Sequence, residues 1–229
     1  MHEPDSRTTT YTTLASGPDF RHEIEIKRSR FITVLRRADS EEAARDLVAG
    51  LRREFHDARH HCSAFLLGPD RDIQRSSDDG EPSGTAGIPM LEALAKRETS
   101  PGLADLSDVS AVVVRYFGGI LLGAGGLVRA YSESVSSALS LAPMVRRSRL
   151  RICSAEVPHA AAGRLENDLR AAGFAMAETS YGVQHTVLRL ALPDEPGEIS
   201  AAAERLQSLT AGSAVLQPEG TEWVDVPFP

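Results

Sequence analysis

Residues 109–131 read VSAVVVRYFGGILLGAGGLVRAY, and this stretch decides the fold. Val109 to Tyr116 is β-branched and apolar enough for a central strand. Gly118-Gly119 and Gly123-Ala124-Gly125-Gly126 make a glycine-rich loop, and the spacing from Leu127 to Leu141 predicts a helix. Glycine permits positive φ and lets backbone approach a ligand closely. The loop is not a Walker A loop, because no Gly-Lys-Ser/Thr follows. It fails the dinucleotide fingerprint too, since the third glycine would fall on Val128. Arg115, Tyr116 and Arg129 suit phosphate pairing and base stacking. The same glycines equally suit a tight packing loop whose arginines pair with acids elsewhere.

Upstream lies Ser77-Asp78-Asp79-Gly80-Glu81-Pro82-Ser83-Gly84-Thr85-Ala86-Gly87, which leads into a predicted helix over Ile88 to Arg97. Two chemistries fit it. Free N–H groups at the helix start, with the Ser83 and Thr85 hydroxyls, would hold an anion. Asp78, Asp79 and Glu81 would instead hold a hard cation such as Mg²⁺ through oxygen. A plainer alternative is a surface turn whose acids cap the helix and offset its dipole.

Farther upstream, Phe20 to Lys27 alternates as a strand. A polar Arg28-Ser29-Arg30 turn and a strand over Phe31 to Leu35 follow. Asp39 with Glu42 resembles a capping box before a helix ending near His56. His61 to Leu67 reads as a buried strand closed by Gly68-Pro69, with a hairpin return through Ile73, and Leu103 to Asp108 as a loop. His56, His60, His61 and Cys62 lack zinc-site spacing; a Cys–His nucleophile pair or a buried structural cysteine remain as readings. Lys27, Arg28, Arg30, Arg36 and Arg37 form a basic cluster, either a phosphate contact or a solvated edge that blocks aggregation.

Beyond Pro143 the pattern becomes β-α-β-β-α-β. Strands fall over Leu150 to Val157, Phe174 to Tyr181, Thr186 to Leu192 and within Ala214 to Val224, with helices over Pro158 to Ala172 and Ile199 to Leu209. That is the split-βαβ, ferredoxin-like order. The predicted organisation is a flexible lead over 1–18, a first domain over 19–144 and a second over 145–229, in an α+β or α/β class. Length suffices for a real core, with 229 residues of which 41% are hydrophobic. The charge of −7 argues against a nucleic-acid coat and confines any RNA surface to a local patch. Two distant cysteines, a polar start and Arg115 inside the one apolar window predict a cytoplasmic protein with no signal and no membrane span.

Four blocks then stand in order: Lys27-x-Ser29-Arg30-Phe31; His56-Asp57-Ala58-Arg59-His60-x-Cys62; Ser77 to Gly87 followed by x-Pro89; and Arg115-Tyr116-Phe117-Gly118-Gly119 through Tyr131. Together they resemble the IMPACT family in its bacterial YigZ-like form. The resemblance implies a ribosomal protein S5 domain 2-like first domain and a ferredoxin-like second one. It also implies a regulatory link to translation, with RNA, the ribosome or a translation factor as partner. The motif positions it carries over are Arg59, His60, Asp78, Asp79, Glu81, Ser83, Thr85, Arg115, Tyr116, Gly118, Gly119 and Arg129. No cofactor is expected. A parallel or mixed sheet would gather the acidic and glycine loops into one cleft, with Arg115 and Arg129 opposing Asp78, Asp79 and Glu81. A non-enzymatic regulator is the first expectation. A Mg²⁺-dependent phosphate-processing enzyme, hydrolase or kinase-like, is the second, and a protein-interaction module the third.

Overall fold

The structure, a computed structural model, describes residues 8–226. The chain divides into two compact units, the first ending at Arg146 and the second spanning Arg147–Val226. In chain order the first contains β1 (Thr10–Leu14), β2 (Phe20–Ile26), β3 (Ser29–Arg37), α1 (Glu41–Glu54), β4 (His60–Leu67), β5 (Ile73–Ser77), α2 (Gly87–Ala95), β6 (Val109–Tyr116) and α3 (Ala124–Leu141).

Five strands form a sheet in the order β2-β3-β6-β4-β5. Every neighbouring pair is antiparallel, which corrects the parallel or mixed sheet expected from sequence. The reason is topological. Helix α1 carries the chain from β3 to β4 across a gap one strand wide, and β6 later fills that gap running the other way.

β6 is buried on both faces, which is why it reads as a continuous apolar run. Val112 and Val114 join Ile32 and Val34 under Leu47 and Leu51 of α1. Ala111 and Val113 join Phe31, Leu35, Cys62 and Ala64 under Met90 and Leu94 of α2 and Leu127, Tyr131 and Val135 of α3. The result is three layers, with one helix on one face and two on the other.

Several boundaries differ from expectation for local reasons. Residues 1–7 of the expected flexible lead lie outside the described residues, while Thr10–Leu14 is a strand with Tyr11 and Leu14 buried. Thr12 bridges Leu106, and Tyr11 hydrogen-bonds Asp108, so the expected loop over 103–108 is partly paired. Ser40, not Asp39, caps α1 by accepting from the Ala43 N–H at 3.2 Å. The β2–β3 turn is Lys27-Arg28, one residue earlier than expected, with both φ positive (48° and 65°) and Ile26 opposite Ser29. Helix α3 starts at Ala124, three residues before the expected Leu127, since Ala124, Gly125 and Gly126 are too small to mark a helical period in the sequence.

The second unit continues β7 (Met144–Pro158, begun at the end of the first) through α4 (His159–Ala171), β8 (Ala175–Tyr181), β9 (His185–Pro193), α5 (Pro196–Thr210) and β10 (Gln217–Val226). β9 lies antiparallel between β7 and β8, and β10 pairs with β7, giving the order β10-β7-β9-β8. Its own core includes Leu165, Leu169, Leu188, Leu190, Leu192 and Leu206. No helix among the described residues is long and apolar enough to cross a membrane.

Candidate functional site

A cleft of about 660 Å³ opens where β6 ends, β4 begins and α3 starts. Its walls include Arg59, His60, Glu81, Arg115, Tyr116 and Gly123, with Phe117, Leu121, Leu122 and Leu127 supplying apolar surface. The acidic and glycine loops therefore do share a cleft, but of the three acids only Glu81 lines it, and of Arg115 and Arg129 only Arg115.

Arg115 Nη1 donates to Glu81 Oε1 at 2.6 Å, with only 8% and 4% of the two side chains exposed. The Tyr131 hydroxyl donates to the same oxygen at 2.8 Å. The Cys62 thiol lies 3.3 Å from that hydroxyl and 3.0 Å from the Asp78 carbonyl. The guanidinium also stands over the rings of Phe31 and Phe117, at 5.5 and 5.8 Å from their centroids. Arg115 Nε is buried without a partner, and Glu81 Oε2 makes no hydrogen bond among the described residues.

The other two carboxylates are committed elsewhere. Asp78 Oδ1 accepts from the N–H groups of Ala86 and Gly87 at 3.0 and 2.8 Å, and Oδ2 from Gly84 at 2.8 Å. Asp78 thus fills the N-terminus of α2, where an anion was expected to bind. Partial burial pushes its carboxyl up, but the Gly84, Gly87 and Ala86 N–H groups outweigh that and hold it below the usual range. Asp79 Oδ2 accepts from the His61 N–H at 2.6 Å, and Oδ1 from Arg52. Asp78, Asp79 and Gly80 form a turn in which Glu81 N–H returns to the Asp78 carbonyl at 3.0 Å, with φ of 43° at Asp79 and 82° at Gly80. That turn sends successive acids in different directions.

The three acids therefore do not fit a Mg²⁺ ion. Among the described residues no group of three or more His, Cys, Asp or Glu side chains is placed to hold a metal. The Thr85 hydroxyl donates to the Pro82 carbonyl at 2.6 Å, and Ser83 is exposed outside the cleft. The plainer reading of this loop, a turn whose acids cap the helix, is the observed one for Asp78, while Asp79 instead ties the turn to His61 and Arg52.

The glycine loop divides likewise. A Cβ at Gly118 would meet the Arg28 carbonyl carbon and oxygen at 2.0 Å, so this glycine is required for packing against the β2–β3 turn. Gly123, with φ 69° and ψ 167°, is the N-cap of α3 in a conformation open essentially to glycine alone. No side chain caps α3, and its N-cap Gly123 and first residue Ala124 line the cleft. Gly119, Gly125 and Gly126 lie outside the cleft lining. Arg129 is exposed and also outside it, which corrects its expected pairing with the acids. Leu127, Ala130 and Tyr131 turn to the core, and the helical period carries residue 129 away from it.

His60 Nδ1 lies 2.9 Å from the Asp79 carbonyl. A carbonyl only accepts, so Nδ1 carries the proton of this bond. Tyr116 is held by its hydroxyl donating to Asp57 Oδ1 at 2.7 Å, with Arg30 over its ring at 5.4 Å. The Asp57 bond is the main reason the phenol is raised and the carboxyl lowered. Cys62 is wholly buried, and burial pushes its thiol up to about 12, so it is a core residue and not a nucleophile. In the basic cluster, Arg30 pairs with Glu23 at 2.7 Å and Arg36 with Asp19 at 2.7 Å. What sequence reasoning missed is the apolar wall. Phe117 and Leu121 are 56% and 84% exposed, large apolar groups inside a glycine loop.

Residues 27–139 match the Impact N-terminal domain. The IMPACT family member YvyE of Bacillus subtilis is 42% identical over 193 residues, 84% of each chain. The IMPACT family member YigZ of Escherichia coli is 39% identical over 194 residues, 84% of this chain and 90% of that one. Among solved structures, a crystal structure of an hypothetical protein is 36% identical, with a TM-score of 0.59. It covers 91% of this chain and 97% of its own.

Proposed function

The chain belongs to the IMPACT family, and from that premise we propose that it is a translation-linked regulatory protein of the cytoplasm that binds RNA, free or on the ribosome, through the cleft of its first unit. We read that unit as ribosomal protein S5 domain 2-like and the second as ferredoxin-like. The β10-β7-β9-β8 order supports the second assignment.

One observation carries the binding reading. The uncapped start of α3 and the exposed Phe117 border the same cleft as Arg59 and His60. Free amides and Arg59 suit a phosphate, and the aromatic face suits a base. No activated nucleophile accompanies them, since Cys62 is buried and protonated.

The test is co-sedimentation with RNA and with ribosomes across a salt series, for the natural chain and for Arg59→Ala combined with Phe117→Ala. Each neutralised phosphate on a single strand contributes a slope of about −0.7 in log K against log salt. Few cations reach this cleft, so a shallow slope, about −0.7 to −1.4 for one or two phosphates, is expected. Absence of binding at low salt, or binding untouched by the double change, overturns the reading.

A further inference from the structure

The floor of the cleft carries a recognition element beyond phosphate binding. The Arg115–Glu81 pair is held through one atom of each group, Nη1 and Oε1. Both side chains are more than nine-tenths buried, and both line the cleft. Glu81 Oε2 is left without a hydrogen bond, and Arg115 Nε is buried without a partner. Unlike Arg115 Nε, Glu81 Oε2 is not sealed from solvent, so it is open to a donor that enters the cleft. Tyr131 and Arg115 fix where that oxygen stands, and both are bonded to Oε1. The idle oxygen therefore cannot turn away without breaking two hydrogen bonds. The guanidinium is equally fixed, standing over Phe31 and Phe117. Beside the pair, Phe117 is an exposed aromatic face and α3 begins without a cap.

An edge that offers an N–H next to an acceptor matches a carboxylate oxygen beside a guanidinium. Every unpaired nucleobase has such an edge, and a duplex hides it. Resting on the RNA-binding reading above, we propose that the cleft takes a single unpaired nucleotide, its base entering edge-on so that Glu81 accepts a ring or exocyclic N–H while Arg115 donates to the acceptor beside it. The ring then lies along Phe117 and the phosphate meets the start of α3. A space of about 660 Å³ suits a ligand of this size and not a helical stem.

Uracil gives the sharpest test, because N3–H is its only donor on that edge, and methylating N3 leaves both carbonyls, the sugar and the phosphates intact. Fluorescence anisotropy of the full chain with labelled oligouridylate would be compared with the same oligomer carrying N3-methyluridine, with an abasic oligomer and with a blunt-ended duplex that has no unpaired base. The expected result is binding of oligouridylate, with the methylated and abasic oligomers weaker by about tenfold or more, as for a lost bond to a charged group, and no binding of the duplex. Phe117→Ala, an exposed change that leaves the core intact, is expected to weaken oligouridylate by about fivefold or more. Equal affinity for methylated, abasic and natural oligomers, or for the duplex, overturns base recognition and leaves a backbone-binding cleft as read above. Absence of binding to every oligomer, including the case where the cleft binds an apolar peptide instead, overturns both readings.

Discussion

Replacing Arg115 with Met would isolate the Glu81 carboxylate. That side chain is 4% exposed and would keep only the Tyr131 hydroxyl as a donor. Removing one partner of a buried pair costs about 3–5 kcal/mol, because the remaining charge is neither solvated nor compensated. The first unit ends at Arg146, and a unit of that length unfolds with an entropy of about 0.3 kcal/mol/K. The expected fall in Tm is therefore about 10–17 °C. Lys96→Met supplies the contrast. It breaks the Lys96–Glu92 pair at 2.8 Å, whose side chains are 75% and 59% exposed, and should cost at most about 0.5 kcal/mol. The double change Arg115→Met with Glu81→Leu removes both charges and should recover most of the loss, since neither partner is then buried alone. Thermal melts followed by far-ultraviolet circular dichroism and by calorimetry, at fixed pH and salt, measure the natural chain, Arg115→Met, Glu81→Leu, Lys96→Met and the double change. If Arg115→Met costs less than about 1 kcal/mol, the pair does not sit in the dry environment its burial indicates. If the double change is as damaging as the two single changes added, the two groups are not coupled at all.

Asp78→Asn should destabilise by about 2 kcal/mol at neutral pH, through loss of charge at the start of α2 and of one amide acceptor. The folded Asp78 carboxyl titrates below its unfolded value, so its contribution is full above the unfolded pKa and fades as pH falls through the folded one. The stability gap between the two proteins should therefore close in acid below about pH 4, and a gap that widens there refutes the assignment. Gly118→Ala should cost about 2 kcal/mol or more, because the added carbon meets Arg28 backbone. Gly163→Ala, mid-helix with open space around it, should instead stabilise by about 0.5–1 kcal/mol; urea melts check both signs. Cys62 and Cys153 are both buried with raised thiols, so neither should react with an aromatic disulfide reagent near pH 8 until the chain is unfolded. Rapid labelling of native protein would contradict that burial.

How much of this was legible in the sequence follows from side-chain periodicity. Strand β6 announced itself because both faces are buried, and the second unit because its strands and helices alternate cleanly along the chain. The antiparallel sheet was not legible, since apolar runs report burial and not direction. The start of α3 was hidden because glycine and alanine carry no pattern. β1 was hidden because Tyr11-Thr12-Thr13-Leu14 follows a polar stretch of sequence, and Leu106, which bridges Thr12, is distant along the chain. The two motif loops did belong together, and Arg115 and Glu81 do meet. Which acid would meet the arginine was out of reach. It depends on positive φ at Asp79 and Gly80, which aims Asp78, Asp79 and Glu81 at three different partners.

Two helices begin near the cleft, and they are treated in opposite ways. The start of α2 is filled by Asp78, a carboxylate from the loop that precedes it. The start of α3 is capped by a glycine with no side chain to offer. A helix start left open loses the stabilisation of a Ser, Thr, Asp or Asn cap, of order 1 kcal/mol. This chain demonstrably supplies such caps elsewhere, at Ser40 and through Asp78. The conformation at Gly123 excludes a capping side chain and at the same time brings bare backbone to the cleft wall. The acids of the neighbouring loop do not oppose an anion there, because Asp78 and Asp79 are spent on amides and on Arg52, and Glu81 on Arg115 and Tyr131. On the binding reading proposed above, a chain with a net charge of −7 keeps one place for a phosphate in this way. It does so by consuming its nearest negative charges internally, not by accumulating positive ones.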